Sequence, residues 1–177
     1  KAYPDSMMKI IVEKDLNPSG DYKYSDLGYY FLKEIVEKMS GQSLENYVAN
    51  NFYEPMGMST TGFLPSNRFN KSQIVPTEND NYFRNQLVHG DVHDPGAAMQ
   101  GGVGGHAGVF SDAEDLAKIW QMYLNKGQYG GVRFIDSNTI NEFTKCQYCL
   151  PDYKGNRRGI GFDKPVRGDD GGPTCSC

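Results

Sequence analysis

Tyr22-Lys-Tyr-Ser-Asp-Leu-Gly-Tyr-Tyr-Phe-Leu-Lys-Glu-Ile-Val-Glu-Lys-Met-Ser-Gly41 is the stretch that decides the fold around it. Apolar side chains recur in it at helical spacing and charged ones cover the opposite side, which predicts an amphipathic helix packed against a core. The apolar positions are Leu27, Tyr30, Phe31, Ile35 and Met39. Ser25 or Asp26 is expected to cap the start of this helix, and Gly41 its end. Tyr24 is therefore predicted to lie at a loop-to-helix junction.

Capping residues and apolar spacing predict further helices along the chain. Their expected bounds are Pro4 to about Lys14, Ser43 to about Asn51, Asp94 to about Gln100, Ser111 to about Gly127, and Asp136 or Ser137 to about Lys145. The third begins with Asp94 as N-cap and Pro95 as first residue, and the fourth with the capping box Ser111-Asp-Ala-Glu114. These helices predict a mainly α fold.

Strand signals are few and short. Residues 74–78 and 84–89 are expected to pair as a hairpin, Gly130-Gly131 predicts a second hairpin, and residues 158–162 a single strand. Residues 59–91 have little helical periodicity, and an irregular stretch of that length usually shapes a site. The fold class predicted is mainly α with a few short strands and long loops.

Composition argues against two kinds of partner. The formal net charge is −4, from 22 acidic and 18 basic residues, so the chain lacks the positive field that nucleic-acid binding needs. No apolar run reaches the roughly 18 residues of a membrane span. The polar residues at the start are not expected to form a signal peptide, and both ends are expected to be cut from a longer polypeptide. At 177 residues the chain is long enough for one domain with a hydrophobic core.

Two segments resemble a known family. The first, Tyr24 to Phe63, contains Tyr-Ser-Asp-Leu-Gly-Tyr, Ser-Gly-Gln-Ser-Leu-Glu-Asn-Tyr and Glu-Pro-Met-Gly-Met-Ser-Thr-Thr-Gly-Phe. The second, Val92 to Ala117, contains His-Asp-Pro-Gly-Ala-Ala and Gly-Gly-Val-Gly-Gly-His-Ala-Gly-Val-Phe-Ser-Asp. Together they resemble serine β-lactamases and penicillin-binding-protein-like hydrolases of the class C, DD-peptidase and esterase type. The resemblance covers most of the chain.

The resemblance implies a catalytic role for Tyr24 and Asp26. In the family a Tyr-x-Asn motif follows a Ser-x-x-Lys nucleophile motif, and its phenol assists proton transfer to and from the serine. Tyr24 matches the motif tyrosine, and Asp26 takes the place of the Asn. An ionised Asp only accepts hydrogen bonds, whereas Asn also donates, so the change is expected to weaken β-lactam or peptide recognition and to leave ester hydrolysis. The alternative is that Asp26 only caps its helix.

The nucleophile motif of the family is not assigned in this chain. Ser6-Met-Met-Lys9 has the Ser-x-x-Lys spacing, but in the family that motif lies far upstream of the tyrosine, and here the two are close. Residues 1–177 are therefore predicted to be a single partial domain. It would be the helical region of a β-lactamase-like α/β fold, without the N-terminal Ser-x-x-Lys region and the C-terminal sheet strands.

The resemblance also implies what the intact enzyme does. It would acylate a serine and hydrolyse the acyl-enzyme, acting on an ester, peptide or β-lactam bond of a small-molecule or peptidoglycan-like substrate. Its expected location is periplasmic or secreted, and the isolated chain is expected to be inactive. An alternative from another class is a non-catalytic binding module or a zinc-stapled interaction module.

Two further patterns suggest cofactors that we do not expect. Gly102 to Ala107 fits the G-x-G-x-x-A dinucleotide fingerprint, but no hydrophobic strand precedes it. Several loop residues could bind zinc in principle, namely His89, Asp91, His93, Asp94 and His106. Loop histidines and helix caps are the commoner outcome, and the resemblance implies no metal. We therefore expect no cofactor and no metal at the site.

The four cysteines lie in two close pairs, Cys146-Gln-Tyr-Cys149 and Cys175-Ser-Cys177. Two disulfides would suit an exported parent protein. Four thiolates would also suit a structural zinc site, and free thiols would suit a reducing compartment. The sequence leaves these three alternatives open.

Overall fold

The computed structural model describes residues 3–15, 24–147 and 157–164. The chain divides into two compact units, Lys1–Leu116 and Ala117–Cys177. Its helices are α1 (Tyr3–Val12), α2 (Leu27–Ser40), α3 (Leu44–Val48), α4 (Pro95–Met99), α5 (Ala113–Leu124) and α6 (Ser137–Thr144). The strands are β1 (Glu78–Asp80), β2 (Gln86–Val88), β3 (Gln128–Tyr129) and β4 (Val132–Arg133). The predicted mainly α fold with a few short strands is confirmed.

Helix α2 ends as predicted, and of the two residues expected to cap its start, Ser25 accepts from a first-turn amide and Asp26 does not. Gly41 has a left-handed backbone, φ +68°, and its N–H donates to the carbonyl of Glu37. Asp26 occupies the N-cap position, yet its side chain makes no capping hydrogen bond. Its backbone is already helical (φ −78°, ψ −13°), whereas a capping side chain needs an extended residue. Instead, the hydroxyl of Ser25 accepts from the N–H of Leu27.

The predicted packing of the α2 apolar face is wrong for most of its members. Only Tyr30 is buried, with 7% of its surface exposed. The others are exposed, namely Leu27, Phe31, Ile35 and Met39. The reason is that the 94–108 segment packs on the side of α2 that carries Tyr30, and within the described ranges no element covers the rest of the stripe.

Helix α3 continues without interruption into a π-helix, Ala49–Tyr53, so the helical segment extends slightly past the predicted end at Asn51. The predicted side-chain cap at Ser43 is wrong, because its hydroxyl makes no capping hydrogen bond. The carboxylate of Glu37 accepts from the N–H of Leu44 over 2.9 Å and serves that amide instead. This hydrogen bond ties the end of α2 to the start of α3.

Both predicted hairpins form. Strand β1 pairs antiparallel with β2, with Glu78 opposite Val88, and β3 pairs with β4 across Gly130-Gly131. The first strand lies later in the chain than predicted, at residues 78–80 rather than 74–78. Asp80 fixes the turn after β1, because its buried carboxylate accepts from the backbone N–H groups of residues 82–84.

The apolar cores of the two units are small. The first contains Tyr30, Met56, Met58, Phe63, Ile74, Val88, Val92, Ala97 and Val103, and the second contains Met122 and Ile140. In the second unit Tyr123 packs edge-on against Phe162 at 5.2 Å, and Trp120 lies 5.8 Å from Tyr123 with 53% of its surface exposed. Helices α5 and α6 begin near the predicted positions, with Asp112 and Asp136 as the capping side chains.

Residues 158–162 were predicted as a strand, and this is wrong. The chain makes a tight turn there, with an isolated antiparallel bridge between Arg158 and Asp163 and a left-handed backbone at Gly161. The two glycines of this stretch favour a turn over an extended strand.

Within the described residues, the helices are all too short or too polar to cross a lipid bilayer.

Candidate functional site

Tyr24 and Asp26 lie together at the junction that leads into α2. The phenol of Tyr24 donates a 2.8 Å hydrogen bond to Oδ1 of Asp26. The side chain of Tyr24 is well exposed, with 62% of its surface accessible. The two residues singled out from the sequence therefore form one polar unit directly before the helix, with Tyr24 exposed and Asp26 half-buried.

The 94–108 segment reaches α2 one turn after this unit. The ring of His106 stacks on the ring of Tyr30, with centroids 4.6 Å apart and planes 15° apart. The Nε2–H of His106 donates to Oδ1 of Asp94 over 2.8 Å. The side chain of His106 is 4% exposed, so a buried histidine joins the first full turn of α2 to the start of α4.

Asp94 is the charged centre of this group. It caps α4 as predicted, with Oδ1 accepting from the N–H of Ala97 over 2.7 Å. Burial acts to raise the pKa of Asp94, but hydrogen bonds from the Ala97 amide and the His106 ring outweigh it and lower the pKa below its ordinary value. Asp94 therefore carries a negative charge at neutral pH, and the His106 nitrogen that faces it, Nε2, carries the proton of this hydrogen bond.

Tyr30 responds to the same charges. Burial raises the pKa of its phenol, and the carboxylates of Asp94 and Asp26 raise it further. Its hydroxyl group lies against Gly96, where an added Cβ would overlap the phenol oxygen. The phenol therefore stays protonated at neutral pH between the two carboxylates.

Backbone contacts hold the 94–108 segment against α2. A Cβ added at Gly105 would overlap the carbonyl oxygen of Tyr29, so only glycine permits this approach. One turn further along the helix, the ammonium group of Lys33 donates to the carbonyl of Val103 over 2.8 Å. The segment thus contacts α2 at three consecutive places, near Tyr29, Tyr30 and Lys33.

A cavity of about 620 Å³ opens beside this segment. Its apolar wall includes Val48, Tyr53 and Phe63, and its polar wall includes Asp94 and His106. A pocket of this size with an apolar lining and a few polar groups is typical of small-molecule sites. Asp94 and His106 therefore belong both to the packing of α2 and to a cavity wall.

An ion-pair network holds the chain that leads into the 94–108 segment. The backbone amide and the guanidinium of Arg84 both donate to Oδ2 of Asp80 at 2.9 Å. The guanidinium also donates to the carboxylate of Glu78 at 3.1 Å. Its remaining hydrogen bonds go to the backbone carbonyls of Val92 and His93. Burial acts to raise the pKa of Asp80, but hydrogen bonds from the Phe83 and Tyr82 amides and from Arg84 hold it well below its ordinary range.

A second buried carboxylate fixes the far end of the segment. Oδ2 of Asp115 accepts from the backbone N–H and the hydroxyl of both Thr60 and Thr61, at 2.7 to 3.1 Å. Next to it, Gly62 and Phe110 form an antiparallel bridge. The start of α5 is thereby tied to the loop that carries Phe63.

The histidines that could in principle bind zinc have separate partners. His89 donates to the carbonyls of Lys71 and Ile74, His93 pairs with Glu78 at 2.9 Å, and His106 with Asp94. In the described part of the chain, no three His, Cys, Asp or Glu side chains converge as a metal site would require. Cys146 is disulfide-bonded. The other cysteines, Cys149, Cys175 and Cys177, lie outside the described residues.

The sequence did not reveal two features of this region, the contacts of His106 and the buried carboxylates of Asp80 and Asp115. Asp94 was recognised as a cap, but its contact with His106 and the stack on Tyr30 were not, because these residues are far apart in the chain. Asp80 and Asp115 gave no signal, since an isolated aspartate is usually a surface residue. The burial of Asp80, the last residue of β1, can be recognised only from the folded hairpin.

The sequence is similar to a known protein family. A family model described as Beta-lactamase matches residues 2–135, well over half of the chain. A protein of Salmonella schwarzengrund named "Putative D-alanyl-D-alanine carboxypeptidase" is 37% identical, over 74% of this chain and 33% of the relative. The chain therefore spans about a third of the length of the curated relatives that it matches.

Solved structures support the same fold. A penicillin-binding protein homologue from Pyrococcus abyssi, described as octameric, superposes with a TM-score of 0.60 at 20% identity, over 92% of this chain and 35% of that one. A D-stereospecific amidohydrolase from a Streptomyces species superposes with a TM-score of 0.58 at 21% identity, over 86% of this chain and 42% of that one. At these identities the likeness concerns the fold.

Proposed function

Because the chain belongs to the beta-lactamase family of serine hydrolases, we propose that it forms the helical part of an enzyme that works through an acyl-enzyme. In that enzyme a serine attacks an ester, peptide or β-lactam carbonyl, and water then releases the acyl group. Residues 1–177 would be a partial domain, and the nucleophile and the C-terminal sheet strands would come from further polypeptide. The isolated chain would then be inactive.

The observation that supports this proposal is the hydrogen-bonded pair of the exposed Tyr24 and the half-buried Asp26. Tyr24 is accessible, and its hydroxyl is already oriented by the 2.8 Å hydrogen bond to Asp26. An accessible phenol of fixed orientation can pass a proton between a serine hydroxyl and a leaving group, as general acid–base catalysis requires. Asp26 would hold the phenol and, because an ionised carboxylate only accepts hydrogen bonds, would disfavour substrate groups that need a hydrogen-bond donor.

The substrate class follows from the relatives in part. The Salmonella relative carries the name of a D-alanyl-D-alanine carboxypeptidase. We extend this to a peptidoglycan-like peptide or a small ester as the substrate of the complete enzyme, and to the periplasm or the cell exterior as its location. The cavity beside Asp94, with its apolar wall, has room for a small acyl or side-chain group.

The test compares the product of the complete coding sequence with the 177-residue chain. We expect the complete enzyme to hydrolyse p-nitrophenyl acetate, nitrocefin or a peptide ending in D-Ala-D-Ala, and the short chain to show only background rates. Replacing Tyr24 by Phe should lower kcat on the order of a hundredfold, since that is the usual scale of general acid–base catalysis. Tyr82→Phe is the matched control, because Tyr82 is an exposed tyrosine outside the site.

Two results would overturn the proposal. Full kcat in Tyr24→Phe would remove Tyr24 from the catalytic machinery. Turnover by the 177-residue chain that is lost on Ser6→Ala would mean that α1 carries the nucleophile and that the partial-domain interpretation is wrong.

A further inference from the structure

We propose that His106 is a positioning residue that sets the orientation of residues 24–26 by acting through Tyr30 and the first turn of α2. The expected effect on catalysis rests on the proposed function, because only that proposal makes Tyr24 a catalytic residue. The expected effect on structure, that His106 orders residues 24–26, rests on the packing alone.

The first step is the way in which His106 itself is held. Its Nε2–H donates to Asp94, and its other ring nitrogen, Nδ1, is buried and has no hydrogen-bond partner in the described ranges. Within those ranges the ring is therefore oriented by one polar contact and by the stack. Asp94 is itself fixed as the cap of α4, so the position of the ring is set by the 94–108 segment.

The second step is the transfer of that position to α2. The His106 ring covers the face of Tyr30 at 4.6 Å, and Gly96 leaves room for the Tyr30 hydroxyl. Tyr30 lies four residues after Asp26, so both occupy the same side of the helix start. A shift of the Tyr30 ring therefore tilts the turn that begins at Asp26.

The third step is that α2 has few other supports near its start. The side chains of Leu27 and Phe31, which could have packed against a core, are exposed. The side chain of Asp26 does not cap the helix. The contacts of the first turn with the rest of the unit include those of Tyr29 with Gly105 and of Tyr30 with Gly96 and His106. We therefore expect the orientation of residues 24–26 to respond to a change in the stack.

The test uses three variants of the product of the complete coding sequence. His106→Leu removes both the stack and the hydrogen bond to Asp94, whereas His106→Gln keeps an N–H donor for Asp94. His89→Leu is the control. It also removes a histidine with hydrogen bonds, here to the carbonyls of Lys71 and Ile74, but His89 contacts neither Asp94 nor Tyr30. Hydrogen–deuterium exchange of the peptide covering residues 24–30, with α5 as internal reference, is measured together with kcat and KM.

In His106→Leu we expect faster hydrogen–deuterium exchange at residues 24–30 and unchanged exchange in α5. We also expect kcat to fall on the order of tenfold to a hundredfold with little change in KM, because misplacement of a catalytic group slows the chemical step more than it weakens substrate binding. His106→Gln should recover part of both effects, and His89→Leu should show neither. Unchanged exchange at residues 24–30 in His106→Leu, or equal acceleration in α5, would overturn the inference. If the wild-type enzyme has no activity, the proposed function fails, and the exchange data still decide the positioning role.

Discussion

The phenol of Tyr24 and the carboxylate of Asp26 form one hydrogen-bonded unit, 2.8 Å from oxygen to oxygen. Tyr24 is exposed and Asp26 is half-buried, and the pair directly precedes α2, so a substrate could contact both side chains at once. A change at either residue should therefore alter the other.

The Asp26 carboxylate should select against substrates that need a hydrogen-bond donor at this position. Asp26→Asn keeps an oxygen for the Tyr24 hydroxyl and adds an N–H donor. We expect the ratio of kcat/KM for nitrocefin to that for p-nitrophenyl acetate to rise about tenfold, the effect of one added neutral hydrogen bond. Asp26→Ala should lower both rates instead. An unchanged ratio in Asp26→Asn would show that residue 26 does not contact the substrate.

Gly105 should tolerate no side chain. In Gly105→Ala the new Cβ overlaps the carbonyl oxygen of Tyr29, which is backbone and cannot move aside cheaply. We expect the free energy of unfolding to fall by about 1–3 kcal/mol, as in other overpacked sites. Gly28→Ala is the control, because a Cβ there meets nothing within 4 Å and alanine favours the helix by up to about 1 kcal/mol. Urea denaturation measures both, and equal stability of the two variants would contradict the contact.

Asp115 should be essential for the stability of the first unit. Asp115→Ala leaves the N–H groups and hydroxyls of Thr60 and Thr61 without their buried acceptor. We expect a loss of roughly 3 kcal/mol, at the upper end for unsatisfied buried groups. Asp112→Ala, which removes only the cap of α5, should cost about 1 kcal/mol. A smaller loss in Asp115→Ala than in Asp112→Ala would contradict this ranking.

Asp80 should make the stability depend on acid pH. Its pKa is lower in the folded chain than the value of about 4 for an unfolded aspartate. Its contribution to the free energy of unfolding is therefore complete above about pH 4 and is lost as the pH falls towards the folded pKa. Calorimetric melting between pH 7 and pH 3 should show a shallower decline in Asp80→Asn than in wild type, from a lower starting point. The exposed Asp91, changed to Asn, should leave the slope unchanged.

Local signals in the sequence were sufficient for several helix ends. Gly41, Asp94 and Asp136 were predicted as caps and act as caps, because each makes a hydrogen bond to a residue only two to four positions away. Such contacts depend on the chain nearby and hardly on the tertiary fold. The predicted side-chain cap at Asp26 is wrong for a related local reason, since its carboxylate accepts a hydrogen bond from the hydroxyl of the neighbouring Tyr24.

Contacts between distant residues could not be predicted. The stack of Tyr30 on His106 and the binding of Thr60 by Asp115 join positions that only the folded backbone brings together. The exposed stripe of α2 was misjudged because helical periodicity shows which face is apolar and does not show which element covers it. The roles of Tyr24 and Asp26 rest on a motif resemblance and remain predictions.

The position of the single tryptophan decides how ligand binding can be followed by fluorescence. Trp120 belongs to the unit Ala117–Cys177, whereas the cavity and residues 24–26 belong to Lys1–Leu116. Trp120 is not among the residues that line the cavity, so its emission does not report directly on occupancy, and a flat titration curve would not mean an empty cavity. An indole introduced at Phe63, in the cavity wall, would give occupancy a spectroscopic signal of its own.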